Sequence, residues 1–293
     1  MNARVAVILN PRSFRVPFLK ARFQRALQFL RAHSQRLTLY TLAPGQAGRH
    51  LALHAVRQGA DLLVAAGGDG TFREVATAGW KTGVPVGLLP LGATNVLTFE
   101  LGLPRHLLQA ARVIVEGRIR RLDLGLANDE VFVLMMGVGF DAFVVHTLIT
   151  PAKRTLGPQG YVITGLLRAP QYRYPRFVVE PVDPPGEAIA GYQAVLSNCR
   201  HYGGRFWFSP TARPDDGRLD LTVIQHAGLP RFALYALAVL AHRVHRMPGI
   251  THRQGTRFRL EGPAVPYHLD SEPVGHLPAE VQVIPGALQV RVP

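Results

Sequence analysis

Residues Asp61 to Thr71 read Asp-Leu-Leu-Val-Ala-Ala-Gly-Gly-Asp-Gly-Thr. Leu62 to Ala66 form a short apolar run of the length expected for one buried strand of a parallel sheet. Gly67, Gly68 and Gly70 then crowd around a single acid, Asp69, and Thr71 is placed to open the next helix as its N-cap. Glycines let backbone approach a ligand closely and take up positive φ where needed. A helix beginning directly behind them presents free N–H groups and the positive end of its dipole, which suits phosphate oxygens. The stretch therefore predicts a strand–turn–helix unit that binds the phosphates of a nucleotide.

Working outward, the first half of the chain alternates strand-like and helix-like runs. Arg4–Leu9, Leu37–Leu42 and Val84–Leu88 read as strands, and Leu19, Phe23, Ala26, Leu27 and Leu30 recur at helical spacing. Gln46–Gln58 and His106–Glu116 read as further helices. This order predicts an α/β domain with a parallel sheet, whose ligands gather at the carboxyl ends of its strands. From Val131 the pattern changes to short apolar or alternating runs broken by Gly and Pro: Val131–Met136, Arg176–Glu180, Gln193–Ser197, Leu219–Ile224, Arg257–Leu260 and Val281–Ile284. These predict antiparallel sheets, interrupted by helical stretches near Ala142–Arg168 and Pro230–Arg246. The expected domains are residues 1–126 and 127–286, with 287–293 returning to the first.

At 293 residues, 47% hydrophobic and 18% charged, the chain is globular and long enough for two cores. Its one cysteine, Cys199, excludes an internal disulfide framework and a cysteine-built zinc site. No apolar stretch approaches the roughly 20 residues that span a bilayer, and the strand-like start gives no signal peptide, so a cytoplasmic protein is expected. The net charge is +14, and all but Lys20, Lys81 and Lys153 of its 33 basic side chains are arginine. A GC-rich genome would produce that bias; so would an anionic partner. The arginines lack an interleaved aromatic stacking platform, which argues against nucleic acid and for a membrane surface.

Gly-Gly-Asp-Gly-Thr followed by Glu74 resembles the nucleotide-binding signature of the diacylglycerol kinase catalytic domain. That superfamily also takes in sphingosine kinases and, more distantly, NAD kinases and phosphofructokinases. The resemblance covers nearly the whole chain. It implies a phosphofructokinase-like first domain, a β-sandwich second domain, and an ATP- and Mg2+-dependent lipid kinase peripheral to the inner face of the membrane.

Residue by residue, the resemblance places ATP on Gly67, Gly68, Asp69, Gly70, Thr71 and Glu74. Asn10, in Asn10-Pro11-Arg12-Ser13-Phe14, and Thr41, at the end of the second strand, join them; Thr41 on residues alone is an ordinary strand residue. Phe14 stands where relatives usually carry glycine. Pro90-Leu91-Gly92-Ala93-Thr94-Asn95-Val96 is similar to the family's Pro-Leu-Gly-Thr-x-Asn-Asp and adds Thr94 and Asn95. Val96 replaces an acid that in relatives helps organise magnesium and water, a role valine cannot fill.

Metal is expected at Asp69 and Asp123, with a second, structural ion at Asp216 in Asp215-Asp216-Gly217-Arg218-Leu219-Asp220. Without the resemblance, Asp123 reads equally as a partner of Arg120 or Arg121, and Asp-Asp-Gly as a hairpin turn. Leu269-Asp270-Ser271-Glu272-Pro273 is similar to the family's Asp-Gly-Glu-Pro, where the glutamate is the base for the lipid hydroxyl. Glu272 and Asp69 are thus the expected catalytic acids. Phosphoryl transfer asks mainly for positioning, charge neutralisation and a group that takes the nucleophile's proton.

Two other readings compete. A catalytically impaired binding homologue is suggested by Phe14 and Val96. An NAD kinase is opposed by the lack of any Asn-Glu dipeptide in the chain. The aromatic loop Arg200–Phe208 reads as a membrane-touching edge or as core, and an exposed sheet edge in the second domain would allow a homodimer.

Overall fold

The computed structural model describes residues 2–13, 17–147, 165, 167–204, 206–228, 234–235, 238, 243–244 and 247–293. The chain forms two compact units, Met1–Leu122 with Gly286–Pro293, and Asp123–Pro285. Phe14 and most of the two expected helical stretches, including His242 and His245, lie outside the described residues.

The first unit runs β1 (Arg4–Leu9), α1 (Pro17–Ala32), β2 (Arg36–Thr41), α2 (Gly48–Arg57), β3 (Leu62–Gly67), α3 (Asp69–Thr82), β4 (Val86–Pro90), α4 (Val96–Glu100), α5 (Leu107–Glu116) and the start of β5 (Arg118–Ala127). The sheet order β2-β1-β3-β4 is parallel throughout. Every residue of β3 is buried, as a central parallel strand covered on both faces requires, which is why its sequence is apolar without alternation. The edge strand β2 is half exposed. Along α1, Phe23, Ala26, Leu27 and Leu30 form the buried stripe, and they pack with Leu107, Ala110, Ala111 and Ile114 of α5 against one sheet face. On α3, Phe72 is 1% exposed; burying a phenylalanine this fully contributes about 1.5–3 kcal/mol.

The second unit takes the rest of β5 and continues through β6 (Glu130–Phe132), β7 (Met135–Gly139), α6 (Phe140–Thr147), β8 (Phe177–Asp183), β9 (Ile189–Gly191), β10 (Gln193–Ser197), β11 (His201–Tyr202), β12 (Phe206–Trp207), β13 (Leu219–Ile224), β14 (Ile250–Gly255), β15 (Arg257–Glu261), β16 (Pro266–Leu269), β17 (Glu272–His276) and most of β18 (Ala279–Val292). It is an antiparallel β-sandwich. One sheet has the order β14-β13-β10-β7-β16-β17; in the other, β18, β15, β8 and β9 are successive neighbours, with β5 beside β18 and β6 beside β5. Met136, Val138, Leu196, Leu221 and Leu269 from the first sheet meet Phe177, Val179, Phe258, Leu260 and Val281 from the second in one core. β8 alternates buried and exposed along Phe177–Glu180, the period-two pattern of a strand with one face on that core.

The far end of β18 belongs to the first unit, where Val290 lies parallel to Val86 of β4. The run Val131–Met136 is not the single strand its composition predicts. It breaks after Phe132 because the N–H groups of Val133, Leu134 and Met135 all turn to the carboxylate of Asp270.

Candidate functional site

In the first unit the carboxyl ends of four parallel strands fall level. Leu9 is opposite both Thr41 and Ala66, and Gly67 is opposite Pro90. β1 has β2 on one side and β3 on the other, so the chain reverses its direction of travel across the sheet there. The loops after β1 and β3 flank that switch point, the usual ligand position in open α/β sheets. Asn10 bridges it: its Nδ2 donates to Thr71 Oγ1 at 3.2 Å, while its Oδ1 accepts from the Arg12 N–H.

The glycine turn differs from expectation in two respects. α3 starts at Asp69 with Gly68 as its N-cap, so Thr71 lies within the first turn and is not the cap. Gly67, Gly68 and Gly70 also stay out of the left-handed region. Space, not φ, is what the turn needs. A Cβ on Gly67 would sit 2.3 Å from Thr71 Oγ1, and one on Gly92 would sit 2.5 Å from Gly68 Cα. The β3–α3 and β4–α4 turns therefore touch backbone to backbone. A helix leaves its first N–H groups without intrahelical partners, and a glycine N-cap brings no side chain to compete for them.

Asp69 ties the two turns together, its Oδ2 accepting from the Val96 N–H at 3.0 Å and its Oδ1 from the Leu97 N–H at 3.2 Å. Asn95, left-handed at φ 48°, exchanges two hydrogen bonds with the Gly92 backbone and holds the loop on which half-buried Thr94 stands. Glu74 is engaged elsewhere. Its Oε2 accepts from the Arg49 N–H at the start of α2, and its carboxylate lies within 4 Å of the Arg49 and Arg73 guanidinium groups. Since Ala47 gives α2 no side-chain cap, Glu74 acts as the anionic end-piece of that helix. Thr41 is exposed at the carboxyl end of the edge strand.

In the second unit, Asp123 is 2% exposed. Its Oδ2 accepts from the Gly217 N–H at 2.6 Å and its own N–H donates to the Pro214 carbonyl. Asp216 Oδ1 accepts from the Arg218 N–H at 3.0 Å. Burial raises the Asp216 carboxyl above its ordinary range, with Asp220 and Asp123 adding to the rise and the Arg218 N–H opposing it. Asn198 donates to the Asp123 and Val133 carbonyls, and its Oδ1 is buried with no partner among the described residues. This is oxygen-rich, negatively charged ground that suits a hard cation. Among the described residues, no three His, Cys, Asp or Glu side chains converge as a metal site.

Glu272 is exposed at the start of β17, directly after a two-residue turn. The preceding Asp270 is buried, and its carboxylate accepts the Val133, Leu134 and Met135 N–H groups at 2.8–3.0 Å. The aromatic loop splits by face. Tyr202 lies against buried Phe208, their ring centroids 5.3 Å apart, and Trp207 stands 43% exposed.

Sequence reading missed one group of polar residues. Asp141, His268 and Tyr202 meet, with His268 Nε2 2.8 Å from Asp141 Oδ2 and the Tyr202 hydroxyl donating to Asp141 Oδ1. Burial and the neighbouring Asp141 carboxylate hold the Tyr202 hydroxyl well above its ordinary pKa. The three come from α6, β16 and β11, and nothing in their sequence spacing announces them.

Comparison with known proteins agrees with this arrangement. Residues 4–127 match the diacylglycerol kinase catalytic domain, and residues 135–292 match the YegS C-terminal NAD kinase beta sandwich-like domain. A probable YegS-like lipid kinase of Chromohalobacter salexigens is 29% identical over 293 residues, covering 98% of this chain and 92% of its own. A diacylglycerol kinase of Bacillus subtilis is 29% identical over 285 residues, covering 94% and 92%, and a probable lipid kinase YegS of Salmonella typhimurium 31% over 261, covering 86% and 85%. A crystal structure of a diacylglycerol kinase from Bacillus anthracis superposes with a TM-score of 0.80 at 21% identity, over 99% of this chain and 97% of that one, and shares the fold. With both units matched in order, the chain belongs to the diacylglycerol kinase and YegS family of lipid kinases.

Proposed function

We propose that the chain transfers the γ-phosphate of ATP to a hydroxyl of a lipid such as diacylglycerol, working from the cytoplasm at the inner face of the membrane. The observation that carries this reading is the pair of backbone-packed turns joined by Asp69 at the carboxyl ends of the parallel strands. Cβ-free backbone and the start of α3 supply donors for phosphate oxygens without a side chain in the way. Asn10, Thr71 and Asn95 keep those donors in place.

Magnesium bound with the nucleotide would bridge its phosphates and neutralise developing charge. Such an ion takes one or two carboxylates and keeps much of its water, which asks for no preformed cage of three acids. Asp216, Asp123 and the Asn198 oxygen are the groups suited to a structural ion. Glu272 is the carboxylate assigned to accept the lipid hydroxyl's proton, and its exposure leaves it open to a substrate. The net charge of +14 and the exposed Trp207 support contact with an anionic bilayer.

The test is transfer from labelled ATP to diacylglycerol in mixed micelles by the wild type and Glu272→Gln. The variant is expected to bind ATP normally while its kcat falls by about 10²–10⁴-fold, the contribution of a general base. Full activity in Glu272→Gln would remove Glu272 from that role.

A further inference from the structure

Leu269 pairs with Glu272 across a turn of two residues, Asp270 at φ 50° and Ser271 at φ 63°. Two successive left-handed residues are the type I′ geometry that closes tight hairpins, and glycine is the residue that adopts it freely. Neither position holds glycine, so the turn has to be held from outside. Asp270 is fixed by its three backbone donors from residues 133–135. Ser271 is fixed by His268, whose Nδ1 accepts the Ser271 N–H at 3.3 Å.

That acceptor role sets the tautomer. With Nδ1 unprotonated, the ring proton sits on Nε2 and is donated to Asp141 Oδ2 at 2.8 Å. The other Asp141 oxygen accepts from the Tyr202 hydroxyl. His268 and Asp141 are 1% and 3% exposed, so both are locked by packing as well as by hydrogen bonds. β7 leaves room for them. A Cβ on Gly137 would lie 2.2 Å from His268 Nε2 and 2.4 Å from Asp141 Oδ2.

We propose that His268 is a positioning residue for Glu272, with Asp141 and Tyr202 orienting its ring. The proposal rests on the assignment of Glu272 as proton acceptor. Glu272 follows Ser271 directly, so a turn that loosens moves the carboxylate. Displacing a reacting group by about 1 Å costs on the order of a hundredfold in rate.

Two substitutions separate the two ring nitrogens. In His268→Asn, the amide oxygen takes the place of Nδ1 and keeps the acceptor for the Ser271 N–H. In His268→Gln, the amide nitrogen takes the place of Nε2 and keeps the bond to Asp141 but loses that acceptor. We expect His268→Gln to lower kcat by roughly 10–100-fold with the KM for ATP unchanged, and His268→Asn to stay within about threefold of wild type. Tyr202→Phe, which leaves the His268–Asp141 pair in place, is expected to lower kcat less than His268→Gln does. Equal losses of kcat in the Asn and Gln variants, or wild-type kcat in His268→Gln, would overturn the proposal.

Amide hydrogen exchange at Ser271, read on 15N-labelled protein, provides a readout independent of activity. Protection is expected in the wild type and His268→Asn and is expected to be lost in His268→Gln. If the wild type phosphorylates no lipid, the proposed function fails. Ser271 exchange then still decides the clamp: loss of protection in His268→Gln alone upholds it, and equal protection in all three overturns it.

Discussion

The carboxylate of Asp69 accepts the Val96 N–H at 3.0 Å and so joins the glycine turn to the first residue of α4. The acid expected to face magnesium is also the N-terminal anchor of a neighbouring helix, whose own cap position, Asn95, makes no side-chain capping bond. Asp69→Ala is therefore expected to lose about 1 kcal/mol of stability, the usual worth of a helix cap, as well as phosphate transfer. Asp69→Asn keeps an acceptor oxygen and is expected to lose less stability while still failing in transfer. Chemical denaturation of the two variants beside wild type checks this, and equal stability of all three would contradict it.

Val96 stands where relatives carry an acid, and the residue is 6% exposed. An aspartate there would lie beside the Asp69 carboxylate. Val96→Asp is expected to destabilise the magnesium-free protein by ~1–3 kcal/mol, the scale of an unpartnered buried polar group. Magnesium should restore much of that and raise turnover above wild type. An unchanged rate would remove the idea that the missing ligand limits activity.

Ser271 replaces the family's glycine at φ 63°. A residue with a Cβ pays about 1–2 kcal/mol in the left-handed region, so Ser271→Gly is expected to stabilise the protein by about 1 kcal/mol, less the added freedom of glycine in the unfolded chain. Denaturant midpoints measure it directly. A loss of stability would show that the serine hydroxyl matters to the turn.

His146 provides a pH-dependent prediction. Burial lowers its pKa below the ordinary 6.5; the Tyr267 carbonyl, 3.1 Å from Nε2, opposes this, and His276 and His268 add to the lowering. The fold thus favours the neutral ring. As pH falls through 6.5 the unfolded chain takes up the proton first, and stability present above that pH is lost on the acid side. His146→Gln keeps a donor for the Tyr267 carbonyl and cannot be protonated. Its Tm is expected to fall less than that of wild type between about pH 7.5 and pH 5.5, the window that brackets histidine titration. Parallel Tm–pH curves for the two proteins would contradict the assignment.

The α/β half was legible because its signals are local. The apolar run Leu62–Ala66, the glycine turn behind it and the helical stripe on α1 each declare one element, and their alternation gives the layer order. The sandwich was legible as a class, from short runs such as Gln193–Ser197 and Leu219–Ile224, which are strands from end to end. What stayed hidden depends on distant partners. Val131–Met136 reads as one strand until Asp270, far along the chain, takes three of its N–H groups. Glu74 reads as part of the nucleotide motif, yet its carboxylate goes to α2. The Asp141–His268 pair joins positions 127 residues apart, and such a contact leaves no periodicity to detect.

Lipid phosphorylation by this chain is tested most directly by incubating the protein with labelled ATP, magnesium and a total bacterial lipid extract, with Asp69→Asn run alongside. A labelled product in the organic phase is expected from the wild type alone, and mass spectrometry would then identify it. ATP binding without any labelled lipid would contradict it and leave a protein that keeps the fold but not the reaction.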